Sequence, residues 1–206
     1  MARWEPNARE RLRAAAAELF EERGYDRTTV GDIAARADLT ERTFFRYFAD
    51  KREVLFSGSE ELEQMLVAAV ASAPKTMPPL DVVVAALAGT SPVFEPRRSM
   101  ARRRQALIQA HAELRERELI KSTKLSAALA SSLRERGVPA ATAVLLAQTG
   151  TTLFYNAFER WVDDAKKRDL AHHVYDALAE LRRLTAQTRT GKPRGSARRL
   201  APARRR

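Results

Sequence analysis

Apolar positions along this chain recur at the three- and four-residue spacing of helical faces, and no run alternates as a strand would. The first face, Leu12, Ala16, Leu19 and Phe20, predicts a helix to about Arg23, with Asn7 as its N-cap. Gly24 suits the left-handed residue that ends a helix. The second face is Val30, Ile33, Ala34 and Ala37, capped by Thr29. After a turn at Ala37-Asp38-Leu39, Thr40 caps a third helix to Phe48, with Phe44 and Phe48 facing the first two helices. Two short helices joined by a tight turn, the second opening on small hydroxyl and charged residues, have the layout of a helix-turn-helix.

Asp50 is expected to cap a fourth helix carrying Leu55, Leu62, Leu66, Ala69 and Val70 and ending before Pro74. Gly58 falls inside it, where close helix packing is the favoured reason over a hinge. A short apolar helix, Leu80 to Ala88, precedes a break at residues 89–96. The basic run Arg97 to Arg104 opens a helix through Leu107, Ile108 and His111 to about Leu114. A long helix follows from about Arg117 to Arg136, closed by Gly137. Two more are expected, Ala140 to about Ala165 and about Leu170 to Thr188. The fold class is therefore all-α, with about nine helices. A helix-turn-helix domain is expected at 1–53, a helical ligand-binding and dimerisation domain at 54–188, and a basic tail outside any packed core at 189–206.

Composition narrows the chemistry. With no cysteine, disulfides and Cys-ligated zinc are excluded, and the three histidines form no HExxH pattern. No metal and no cofactor is expected. No GxSxG, P-loop or dinucleotide fingerprint appears, so an enzyme is not expected. No apolar run approaches the roughly 20 residues of a membrane span, and the start has no secretory h-region, which predicts a cytoplasmic protein. The net charge of +11 suggests an acidic partner, but residues 189–206 hold eight Lys/Arg and no acid. Subtracting those eight leaves +3 for the body, and residues 1–50 hold nine Arg against ten acids. Any nucleic-acid contact therefore needs its cations gathered on one face. The tail itself is either solvated charge or a source of salt-sensitive, sequence-independent DNA affinity.

Gly24-Tyr25, Thr28-Thr29-Val30, Ile33-Ala34, Ala37, Leu39-Thr40, Thr43-Phe44-Phe45, Tyr47-Phe48 and Lys51 resemble, in order and spacing, the signature of TetR-type repressors. The resemblance covers roughly residues 10–55; further on only Phe158-Glu159-Arg160-Trp161 and the helix count are similar. It implies an all-helical homodimer whose first three helices bind double-stranded operator DNA. It further implies a C-terminal small-molecule pocket, a four-helix interface from the last two helices, and release of a palindromic operator on effector binding. The alternative is an architectural DNA-binding protein without a ligand. Two departures stand out: Asp38 where the family often has Gly, and Phe45 where it often has Tyr, with Tyr47 a replacement hydroxyl.

The expected DNA-binding residues are Thr29, Thr40, Glu41, Arg42, Thr43, Phe45, Arg46, Tyr47 and Lys51. Arg42 has the fork that reads guanine O6 and N7, and Thr43 suits a thymine methyl or a phosphate. Glu41 either accepts from cytosine N4 or, the favoured reading, serves the helix N-terminus. Phe45 is left with apolar contact to sugar or thymine methyl. Arg46 and Tyr47 suit phosphate, and Thr29 and Lys51 are expected to clamp the backbone at helix N-termini. For an apolar or aromatic effector the candidates are Met65, Phe94, Met100, His111, Phe154, Tyr155 and Asn156, each competing with an ordinary core role. For the dimer interface they are Leu146, Leu153, Trp161, Val174, Leu178 and Leu181, shared with core.

Overall fold

The computed structural model describes residues 7–190 and contains only helices and turns among them. Helix α1 (Ala8–Arg23), α2 (Val30–Arg36), α3 (Glu41–Tyr47) and α4 (Lys51–Leu55) form the N-terminal part. The rest comprises α5 (Ser59–Ser72), α6 (Pro79–Ala88), α7 (Ser91–Phe94), a 3-10 turn (Glu95–Arg97), α8 (Arg98–Ala110), α9 (Ala112–Glu135), α10 (Ala140–Val162) and α11 (Leu170–Thr190). Setting aside the five-residue α4 and four-residue α7, nine helices remain, the number expected. The tail from residue 191 onward, with its expected DNA contribution, lies outside the described residues.

Several local expectations need correction. Asn7 sits at φ 71 and makes no side-chain capping bond; it closes the helix through its carbonyl, which accepts the Arg11 N–H at 2.9 Å. The expected fourth helix is two. Gly58 lies between α4 and α5, and a Cβ placed there would meet nothing within 4 Å, so close packing is not its role. The break near residue 115 falls instead at His111, whose extended backbone (φ −122, ψ 121) separates α8 from α9 and leaves Leu114 on α9. Residues 89–96, expected as a break, wind into α7 and the 3-10 turn, and α10 stops at Val162.

Two apolar clusters organise the helices. One holds Leu12, Leu19, Phe20, Ile33, Phe44 and Phe48 of the first three helices, with Val54 and Phe56. Ile108 of α8 and Leu114 of α9 belong to it too, so the α8–α9 corner is wedged into the core of the helix-turn-helix. The second is built by α5, α6, α9, α10 and α11 around Val83, Leu87, Leu129, Leu133, Phe154 and Trp161. Here α6 and α10 approach closely because residue 150 is glycine: a Cβ there would lie 2.3 Å from Val83 Cγ1.

Candidate nucleic-acid interface

The helix-turn-helix is set by short-range polar bonds. The Thr29 hydroxyl accepts the Asp32 N–H at 3.1 Å and the Thr29 N–H donates to Asp32 Oδ2 at 2.9 Å, a reciprocal capping box. These Thr29 bonds hold the Asp32 carboxyl below its usual range. Thr40 caps α3 by accepting the Thr43 N–H at 3.1 Å. Between them Asp38 takes φ 52, the left-handed conformation the turn demands and one that Asp tolerates. Arg11 of α1 reaches across to donate to the Ala37 and Asp38 carbonyls, capping the end of α2. Thr28 is buried and donates to the Gly24 carbonyl at 2.8 Å.

The charge puzzle resolves through pairing. Arg9 meets Glu61, Arg11 meets Asp38, Arg13 meets Glu10, Arg23 meets Asp32, and Arg36 bonds both Glu18 and Glu22. Of the described arginines up to residue 50, Arg27, Arg42 and Arg46 alone have no carboxylate partner among the described residues. Arg42 and Arg46 are exposed on α3. Five acids of this region pair with its other arginines, Glu21, Asp26 and Asp50 pair with Arg103, His111 and Arg52, and the cations of α3 remain free to meet phosphate or base edges.

Beside them, Thr43 is half-buried and shares its hydroxyl with Thr40 at 3.1 Å. Phe45 is 54% exposed although its ring edge meets buried Phe44, an apolar surface held out to solvent. Arg46 lies 5.0 Å over the Tyr47 ring and donates to its hydroxyl at 3.3 Å. Glu41 leans toward α2: a Cβ on Gly31 would meet its Oε1 at 2.7 Å. Its carboxylate is therefore placed over the first turn of α2 as well as at the start of its own helix.

Two expected phosphate clamps are engaged within the protein itself, Thr29 at the surface and Lys51 half-buried. The Thr29 hydroxyl and N–H are both engaged with Asp32. Lys51 Nζ donates to the Tyr25 and Thr28 carbonyls at 2.8 and 3.0 Å and sits 4.2 Å over the Tyr25 ring. Lys51 therefore ties α4 to the α1–α2 loop, with one of its three donors left over. No local spacing signals this, because the partners lie more than twenty residues away. The opposite edge of that loop meets the body. The His111 ring packs edge-on against Tyr25 at 4.9 Å, and its Nε2 lies 3.5 Å from Asp26. Burial, then the Glu113 carboxylate nearby, pushes the Tyr25 hydroxyl well above its usual range.

The expected effector residues do not form one set. Phe94, Phe154 and Tyr155 lie in a chain of rings, with centroids 6.1 Å and 6.0 Å apart, joined by Phe158 and Trp161. His111 is elsewhere, against the helix-turn-helix, and Asn156 is exposed on α10. Met100 is 47% exposed on α8 and Met65 half-buried on α5. Two surface clefts of about 240 and 360 Å³ are lined by none of the seven; Arg11, Glu18 and Asp38 border the first, and Arg46, Glu53 and Lys121 the second. Among the expected interface residues, Trp161 and Val174 are fully buried inside the protomer, and Leu153 and Leu178 are buried beside them. Leu146 and Leu181 pack partly on the same core. These are core residues because α10 and α11 turn their strongest apolar stripes inward. The exposed apolar side chains there are Val144, Leu145, Tyr175 and Leu184, the signal that hydrophobicity alone did not separate from core.

The model of bacterial regulatory proteins of the tetR family matches residues 12–57. The chain is 37% identical over 75 residues to the HTH-type transcriptional regulator TcmR of Streptomyces glaucescens, a match covering 36% of this chain and only 33% of that protein. A TetR-family transcriptional regulator structure from Syntrophomonas wolfei superposes with TM-score 0.61 at 17% identity, covering 87% of this chain and 95% of that one. The transcriptional regulator FadR of Bacillus subtilis, solved in complex with stearoyl-CoA, gives 0.54 at 19% identity over 84% and 96%. At such identities the likeness carries the fold and not the ligand. Residues 12–57 are thus similar to the DNA-binding segment of tetR-family regulatory proteins, and the body that follows shares the fold of the TetR-family structure above.

Proposed function

We propose that the protein is a homodimeric repressor that leaves a palindromic operator when a small apolar or aromatic effector enters its C-terminal body. The observation that carries the DNA half is the pairing pattern above: the cations without carboxylates include both arginines of the second helix of the motif. Arg42 reads a base edge, and Thr43 and Phe45 offer methyl and ring surface to thymine. Arg46 and Tyr47 meet phosphate, Thr40 and Thr29 hold the helix starts, and Lys51 holds the loop. The division near residue 53 is one of function more than of packing, since Val54, Phe56, Ile108 and Leu114 complete the core of the reader.

Exposed Val144, Leu145, Tyr175 and Leu184 support pairing of α10 and α11 with their two-fold mates. The aromatic chain from Phe94 to Phe154 supports an apolar effector. An effector that displaces these rings would move α8, and the α8–α9 corner at His111 would carry that movement to Tyr25 and the reader. Footprinting on the DNA flanking its own gene tests the reading. Two protected half-sites about one helical turn apart, of defined sequence, are expected. Protection without sequence preference would instead identify an architectural protein.

A further inference from the structure

The region where α7, the start of α8, the end of α10 and the start of α11 meet holds a polar anomaly inside an aromatic wall. Trp161 is fully buried and its Nε1–H has no acceptor among the described residues. The Arg98 guanidinium lies 4.9 Å over the Trp161 ring, and its Nη1 is a second buried donor without an acceptor among the described residues. The other terminal nitrogen of Arg98 donates to Glu95 Oε2 at 3.1 Å and to the Arg168 carbonyl. Glu95 is further engaged: its Oε1 accepts the Leu170 N–H at 2.8 Å, at the first turn of α11. Phe94 and Phe158 press on Trp161 at 6.2 and 5.3 Å, with Phe154 next to both.

Buried N–H donors without acceptors are costly, and both side chains here belong to one contact. A group that only accepts answers them. Water is the poorer answer, because its own two hydrogens would turn toward aromatic surface. A carboxylate has acceptor sites and no hydrogens, and it forms charge-assisted bonds with a guanidinium. The neighbouring acids do not fill the role: Glu95 is held as described, Asp164 bonds Arg168 and His173, and Asp163 pairs with Arg102. Phe94 is the half-buried ring of the cluster, and Val93 and Met100 near it are exposed, so apolar surface runs from solvent toward Trp161.

From this geometry we infer that Arg98 and Trp161 receive the carboxylate of the effector, whose apolar or aromatic body lies among Phe94, Phe154 and Phe158. The effector is thus an amphiphilic acid. This rests on the effector reading proposed above and adds its head group.

The test compares 4-phenylbutanoate with 4-phenylbutan-1-ol, which share a body and differ in the head. A Trp4→Phe variant leaves Trp161 as the one tryptophan, and its fluorescence reports binding. The acid is expected to bind at least about tenfold more tightly than the alcohol, with the preference lost in Arg98→Met and, read by titration calorimetry because that variant lacks the reporter, reduced in Trp161→Phe. Equal affinities in the Trp4→Phe protein, or binding of neither, overturn the inference without depending on how the further variants fold. Operator release is scored separately. If both compounds bind alike and both release DNA, the effector reading stands and the acid head group fails. Tight acid-selective binding without release leaves the head group standing and removes the effector role.

Discussion

The outer face of the reader and its junction with the body handle charge in opposite ways. In the reader, ion pairs lie at the surface, between α1 and α2 and within α1, and they leave the arginines of α3 unpaired. Where α4 meets the body, charge is drawn inside, while pairs farther out on the body, such as Arg102–Asp163 and Arg160–Glu180, stay at the surface. Glu53 accepts from Arg117 and from Lys121 (3.0 Å), with each side chain less than a third exposed. Arg104 bonds the Leu55 carbonyl and Glu118 while lying 4.9 Å from the Phe56 ring. Burial pushes the Glu118 carboxyl up despite Arg104, and burial pushes the Tyr155 hydroxyl up as well. Surface pairs contribute little to stability and are free to shape a field; buried networks have to keep their partners. A DNA reader needs the first arrangement, and the second ties the helices at the junction to one another.

The contrast can be broken most severely in the body. Trp161→Ala should lower protomer stability by about 3–5 kcal/mol in thermal or denaturant unfolding, as a core truncation does. A stable protomer that merely fails to dimerise would return Trp161 to the interface. Leu145→Glu should do the reverse, converting dimer to monomer in sedimentation at micromolar concentration while the helices survive. Its cost to assembly should exceed about 2 kcal/mol if Leu145 is a central contact. An unchanged dimer would move the interface elsewhere.

In the reader, Arg42→Ala should cost about 1–3 kcal/mol of operator affinity and relax base preference at one position. Uniform loss over all sequences would make Arg42 a phosphate contact. Lys51→Ala should loosen the reader by about 1–2 kcal/mol, since two carbonyls lose their donor. Its salt slope of DNA binding should stay unchanged, whereas a phosphate clamp would lower that slope by about one.

The smallest effect concerns acid. Burial raises the Glu53 carboxyl, but bonds from Arg117 and Lys121 outweigh burial and leave it below the ordinary 4.5. A depressed carboxyl stabilises the fold above its unfolded value and loses that contribution as pH falls through its folded one. Stability should therefore decline below about pH 4.5. Glu53→Gln should flatten this decline and cost about 1 kcal/mol at neutral pH, after solvent screening. An identical acid profile in the variant would assign the decline to other carboxyls, such as Asp164, which Arg168 holds low.

How far the site could be read from residues follows from how far apart its partners lie. The Thr29–Asp32 box, the Thr40 cap and the left-handed Asp38 involve residues within three positions of one another. Spacing reports such bonds directly. Lys51 with Tyr25, Ile108 with the reader core, and Arg98 with Trp161 join residues 26 or more positions apart, and no periodicity reports those. The Gly58 error has the same origin: apolar spacing continues across it, and only the geometry shows two helices meeting there.

By itself the sequence determined an all-helical chain, the caps at Thr29, Thr40 and Asp50, the turn at Asp38, the likeness of the reader segment to tetR-type regulators, and which residues face outward on α3. Each depends on local backbone preference or on a strictly spaced signature. The tertiary structure decided what the arginines pair with, that α8 and α9 complete the reader's core, and that Trp161 and Val174 are core while Leu145 and Tyr175 are exposed. It also decided that Lys51 turns inward. An amphipathic stripe states that a side chain will be buried; whether its own core or a second subunit does the burying depends on how helices far apart in sequence cross.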